Sequence, residues 1–234
     1  MKRIGIIFLI LLTTGFITGF YYWRQATTLP TWYAKQATTA NITNTRNRLS
    51  IQQTTEKIKA EIAASTQQVA NNKDIELQLD ENELNNLLAS EIIKKNNKSQ
   101  LAQAVKAVKT EIENGKLKSG AIVNISDIST AQLGKSEVAE LTKLIKAFPT
   151  LEDREVYLGI EGKPIFKSGQ LRFDENSTIK VGNLSFTQAE LSEKLGIPEN
   201  KIKQFTKFQL QIDKLKVNDI ELNDKKALLR GSVN

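Results

Sequence analysis

Residues Leu77–Leu88, LQLDENELNNLL, alternate apolar and polar side chains as far as Leu79 and then place Asp80 three residues ahead of Glu83. At that spacing each side chain accepts a hydrogen bond from the other residue's backbone amide, so the stretch reads as a short strand running into a capped helix. The chain repeats it. In Leu184–Leu195, LSFTQAELSEKL, the places of Leu77, Leu79, Asp80, Glu83, Leu84 and Leu88 are taken by Leu184, Phe186, Thr187, Glu190, Leu191 and Leu195. Both copies are folding signals and carry no chemistry of their own.

Working outward, the first copy continues as a helix with Leu84, Leu87, Leu88 and Ile92 on one side. Leu101, Val105, Val108 and Ile112 then recur at i, i+4, i+7 and i+11, which predicts a second helix ended by Asn114-Gly115. Ala121–Ile128 reads as a strand. Ser136–Phe148 reads as a helix with the stripe Val138, Leu141, Leu144, Ile145 and Phe148, stopped by Pro149. Strands dominate from there: Val156, Leu158 and Ile160 alternate with Tyr157, Gly159 and Glu161, followed by Leu171 with Phe173 and by Ile179 with Val181. Gly196 and Pro198 end the helix of the second copy. In the last stretch Phe208, Leu210 and Ile212 alternate, and the steps of three from Ile212 to Leu215 and from Val217 to Ile220 predict a turn or bulge at each. Asn223-Asp224 predicts another turn, and Ala227–Val233 a final strand. The fold class expected is α+β, a curved antiparallel sheet packed on amphipathic helices.

Upstream, Ile4–Trp23 has no charged residue and has the length a helix needs to cross the roughly 30 Å of bilayer hydrocarbon. Lys2, Arg3 and Arg24 flank it, and Tyr21, Tyr22 and Trp23 stand where an interfacial aromatic belt belongs, with Trp32 and Tyr33 in reach of the head groups. The expectation is a single-pass signal anchor in a bacterial inner membrane, with the remainder on the extracytoplasmic side. Three parts follow: an anchor over 1–24, a polar linker and stalk helix over 25–72, and an α+β domain over 73–234. Two readings of 41–68 stay open, a solvated stalk and a helix docked through Leu49, Ile58 and Ile62.

The formal charge of +7 is uneven. Residues up to Thr55 hold six basic side chains and no acid, leaving 27 basic against 26 acidic residues from Glu56 onward. The clustered excess that a phosphate backbone requires is missing from the domain, which argues against nucleic acid as a partner and for a membrane surface. The chain has no Cys and no His. Disulfides, thiol nucleophiles, thiolate or imidazole metal ligands and the usual proton shuttle are thereby excluded.

The chemical motifs fare poorly against simpler explanations. Asp80, Asn82 and Glu91 fall at the first, third and twelfth places of a calcium loop, but Leu84 and Asn85 occupy places that need an oxygen ligand and a glycine, so capping explains the acids better. Glu152, Asp153 and Glu155 read as a solvated charge run. Ser177 and Lys180 have the spacing of an acyl-transfer pair, but on a strand entrance they point to opposite faces. No phosphate-binding glycine loop occurs. No cofactor, metal or catalytic residue is expected.

Glu83, Leu84, Asn85 and Leu88, following their strand behind an N-terminal apolar segment, resemble the start of the helix in tubular lipid-binding (TULIP-like) bacterial envelope proteins of the YpmS, YceB and LmeA type. The second copy departs from that pattern, with Ser192 in the place of Asn85. The resemblance covers 75–233 and implies a long curved sheet wrapped on a helix, with an apolar groove for an acyl chain. The function expected is therefore non-enzymatic binding of a phospholipid or other amphipathic ligand beside the membrane. Leu101, Val105, Val108, Ile112, Phe208, Leu210 and Ile212 would line the groove, contributing about 25 cal/mol per Å2 of apolar area buried. The alternative is a tethered protein-interaction or assembly module in which these residues fill a core.

Overall fold

The computed structural model describes residues 21, 24–35, 45–68, 75–96, 104–128, 130, 133–151, 153–167, 170–205, 208–209 and 211–233. Six helices are described: α1 (Thr31–Lys35), α2 (Thr45–Gln68), α3 (Glu81–Asn96), α4 (Lys135–Ala147), α5 (Gln188–Leu195) and α6 (Glu199–Phe205). Among the described residues twelve strands form three antiparallel sheets. The first has the order β2 (Val105–Glu113), β3 (Lys116–Asn124), β4 (Glu155–Gly162), β7 (Thr178–Val181), β8 (Leu184–Phe186). The second runs β1 (Ile75–Asp80), β12 (Lys226–Val233), β11 (Leu215–Asn223), β10 (Gln211–Ile212). The third is β5 (Pro164–Lys167), β6 (Gln170–Phe173), β9 (Phe208–Gln209).

Both repeated stretches form the same unit, an edge strand that enters a capped helix. Strand β1 is the edge of the second sheet and β8 the edge of the first. Asp80 Oδ1 accepts from the Glu83 amide at 2.8 Å while Glu83 Oε2 accepts from the Asp80 amide at 3.1 Å. In the second copy Thr187 Oγ1 accepts from the Glu190 amide at 3.2 Å, and Glu190 Oε2 accepts from the Thr187 amide at 2.7 Å. The Thr187 amide, joined by the Thr187 hydroxyl donating at 3.0 Å, holds the Glu190 carboxyl below its usual range. Helix α5 ends on Gly196, whose φ of 58° suits a residue without a side chain.

The larger core lies where α2 and α3 cover the inner face of the second sheet. Leu77, Leu79, Leu215, Val217, Ala227 and Leu229 come from the strands, Ile58 and Ile62 from α2, and Leu84 and Leu87 from α3. Helix α2 is thus a docked helix and not a solvated stalk. Its buried positions are Ile51, Thr55, Ile58 and Ile62, at i, i+4, i+7 and i+11, whereas Leu49 is 54% exposed. A second core sits between the first sheet and α4, α5 and α6, with Leu151, Val156, Val181, Leu191 and Ile202 buried in it. The stripe of α4 is only half buried, although the Phe148 that ends it is enclosed, its ring 5.9 Å from that of Phe186.

The helix expected over 101–112 is corrected. Val105–Glu113 is strand β2, joined to β3 through Asn114 and Gly115 at φ 52° and 69°, so Asn-Gly forms a hairpin turn instead of a helix end. A bulge between Val105 and Ala107 puts Val105 and Val108 on the same face, three residues apart, and so imitates a helical period. The turns in the last stretch fall where period two breaks. Asp213 has φ 53° in the β10–β11 connection, and β11 has its bulge between Val217 and Asp219.

The mixed α+β architecture with antiparallel sheets holds, but the transmembrane helix attached to it does not. Among the described residues no helix is long and apolar enough to cross a membrane. Within the expected span 4–23 only Tyr21 is described, 58% exposed; Lys2, Arg3, Tyr22 and Trp23 lie outside the described residues. The expected single-pass anchor and the inner-membrane location that rests on it are overturned with that helix.

Burial of Ile58 makes a direct test of the docked α2. Ile58→Ala is expected to cost about 2–5 kcal/mol in urea unfolding, against about 0.5 kcal/mol or less for Leu49→Ala on the solvent side. Equal effects would return α2 to solvent.

Candidate functional site

The inner face of the first sheet is spent on packing, so its outer face is where side chains are left for binding. Strand alternation puts Lys109, Glu111 and Glu113 of β2 there, with Lys118 and Gly120 of β3, Tyr157, Gly159 and Glu161 of β4, and Lys180 of β7. Register places Gly120 opposite Gly159 and Lys118 opposite Glu161. The two glycines leave a gap in the side-chain layer, and the Tyr157 ring lies in it. A methyl group on Gly120 would come within 2.5 Å of that ring, and one on Gly159 within 2.6 Å of its hydroxyl. The tyrosine therefore lies along the sheet instead of standing away from it.

The segment 25–33 crosses the same face as a strap. The Gln25 carbonyl accepts from the Asn183 amide at 2.8 Å, Ala26 is buried, and the Ala26 carbonyl sits over Gly182. At the other end of the strap, Trp32 meets Tyr157 edge to face, with centroids 6.3 Å apart and planes at 79°. Lys109 Nζ stands 5.7 Å from the centre of the Trp32 ring, in cation–π range. Trp32 and Tyr33, expected at lipid head groups, are therefore seated on protein. The glycine gap filled by Tyr157 supplies the apolar seat that the sequence reading gave to the membrane.

Between strap and strands lies a groove of about 270 Å3, lined by Pro30, Trp32, Tyr157, Glu111, Lys118, Ile160, Glu161, Lys180, Gly182 and Asn183. Its charges are paired. Lys180 Nζ is 2.9 Å from Glu161, Lys118 bridges Glu113 and, at 3.9 Å, Glu161, and Lys109 is 2.5 Å from Glu111. The Lys180 hydrogen bond is the largest influence holding the Glu161 carboxyl low, and the Glu113 bond raises Lys118. Burial, then the Glu111 and Glu161 charges, push the Tyr157 hydroxyl up to about 12. Burial and the adjacent Glu155 carboxylate do the same to Tyr33, also to about 12.

The residues expected to form an apolar groove are scattered. Val105 and Val108 are buried on β2 beside Ile51 and Ala89, whereas Ile112 and Ile212 belong to the larger core under α2 and α3. Phe208 is on β9, and Leu101 and Leu210 lie outside the described residues. Asp80 is used by its cap, and Glu81 Oε1 accepts from the Ile112 amide at 2.8 Å at the sheet edge. No group of three metal-ligating side chains occurs among the described residues. Ser177 is buried and accepts from Gln188 Nε2 at 3.1 Å, apart from Lys180 in its pair with Glu161. Of the acidic run, Asp153 is exposed, Glu155 adjoins Tyr33, and Glu152 is outside the described residues.

No family model, curated protein or solved structure matches the chain. The resemblance to tubular lipid-binding proteins gains no support from these comparisons.

A raised tyrosine pKa links the site to stability. Both hydroxyls stay protonated in the folded chain above the ordinary value of 10.0 and ionise near 12. The unfolded chain thus releases these protons first, so the contribution of the two hydroxyls to stability is level below about pH 10 and falls as pH rises toward about 12. Denaturant unfolding across that window should show the decline, and Tyr157→Phe should make it shallower.

Proposed function

We propose that this chain is a non-enzymatic binding or assembly module with a filled core, acting through the strap-covered outer face of its first sheet. The observation that supports the reading is the division of side chains. Val105 and Val108, and Ile112 and Ile212, expected to line a lipid channel, are packed into two separate clusters, while aromatic and charged residues converge on the groove beneath Trp32.

A binding role also accords with the protonation of the groove. General acids and bases work best with pKa values near the operating pH. Here ion pairing lowers Glu161 and raises Lys118, and burial sends Tyr157 to about 12, each shift leading away from neutrality. Groups held in that way orient a ligand better than they exchange protons with it.

Two measurements on the full chain test the proposal. A photo-crosslinking residue at exposed Asn183, beside the groove, should give an adduct that the same residue at exposed Asn218, on the second sheet, does not. Identical adduct patterns would remove the groove as the working surface. Phospholipid retained through detergent-free chromatography and then passed between liposomes would overturn the filled core and favour a lipid carrier.

A further inference from the structure

We infer that the groove takes a neutral saccharide unit, a proposal that rests on the outer face being the working surface. Its charge balance comes first. The lining carries Lys118 and Lys180 against Glu111 and Glu161, each held in an ion pair that Lys109 and Glu113 help to complete, so the lining has no net formal charge. An anionic or cationic ligand would be attracted by one row and repelled by the next, and would have to break a pair to replace it. A hydroxyl group needs no such break. It donates to a carboxylate oxygen and accepts from an ammonium hydrogen at once, so a ring bearing several hydroxyls can bridge Lys180 and Glu161, or Lys118 and Glu161, with the pairs intact.

The walls suit the remaining surface of such a ring. Trp32 and Tyr157 stand at 79° and form an apolar corner against which the C–H faces of a pyranose can pack while its hydroxyls reach the charged rows. An aliphatic ligand would strip water from those charges without replacing its hydrogen bonds. A peptide added as a strand needs a free sheet edge, whereas this floor spans β3 and β4 in the sheet interior and is built of side chains. At about 270 Å3 the groove falls just under the usual range of small-molecule sites, roughly 300–1,000 Å3. It thus fits a ring-sized unit of a longer glycan.

The full chain has two tryptophans, Trp23 and Trp32, and their emission provides a readout. Cellotriose, maltotriose and chitotriose, titrated separately, are expected to produce a saturable shift with at least one of them in the millimolar range. Trp23→Phe should retain that shift. Saturation-transfer NMR should show binding weakened about tenfold or more by Trp32→Ala, and also by Lys180→Gln, which leaves the aromatic corner and its packing in place. Binding that survives both substitutions would put the sugar elsewhere and overturn the inference. A response that depends on Trp32 to Ala-Ala dipeptide or inorganic phosphate, with none to the three sugars, would overturn the saccharide but keep the groove as a binding site. Silence from every probe overturns the saccharide, and the crosslinking comparison at Asn183 then decides separately whether the outer face binds anything.

Discussion

A single narrow stripe on α2 holds the larger core closed. Ile51, Thr55, Ile58 and Ile62 are the buried residues of a helix that is otherwise mostly polar, and the one hydroxyl among them is satisfied internally, Thr55 Oγ1 donating to the Ile51 carbonyl at 2.8 Å. Through Ile58 and Ile62 α2 reaches the strands of the second sheet, and through Ile51 it meets Ala89 of α3 and Val105 and Val108 of β2. Polar contacts fix its rotation: Asn86 Nδ2 donates to Thr54 Oγ1 at 3.0 Å, and Lys57 Nζ lies 2.6 Å from Glu83. Because Glu83 is also half of the cap that starts α3, the helix pair and the strand-to-helix junction are set together.

The same economy governs the first sheet. One face is covered by α4 to α6, and the other by a strap of a few residues that leaves charged rows uncovered. Covering only part of that face creates a groove instead of another core. Trp32 fits because two glycines on adjacent strands let Tyr157 lie flat, so a gap in one layer becomes a wall of the next.

Local signals were legible and distant convergence was not. The reciprocal caps at Asp80 and Thr187, the stop at Gly196 and the breaks near Asp213 and Val217 all stand where the sequence places them, since each depends on neighbours within a few residues. Strand β2 reads as a helix in the sequence because its bulge mimics a helical period. Thr110, buried between Val108 and Ile112, and the Asn-Gly pair that follows were the available contrary signs. The helical period also hides the groove, since only on a strand do Lys109 and Glu111 share a face with Tyr157. Even with β2 assigned, the site joins Trp32, Glu111, Lys118, Tyr157 and Lys180 from five separate elements, and no spacing reveals it. The aromatic residues near the apolar N-terminal run fit a membrane belt equally well as text, and only the glycine pair distinguishes the two seats.

The pairing of β1 with β12 has a further consequence. Ile75 is registered on Gly231 and Asp80 on Lys226, and Glu76 receives the Arg230 side chain at 2.8 Å. During vectorial synthesis at roughly 5–20 residues per second, β1 leaves the ribosome on the order of ten seconds before its partner exists. Over that interval Leu77 and Leu79 have no sheet to join, and α2 and α3 can pack on β2 but not on the second sheet. A nascent chain of this design depends on its helix pair, or on a chaperone, to shield an unpaired edge strand until β12 is made.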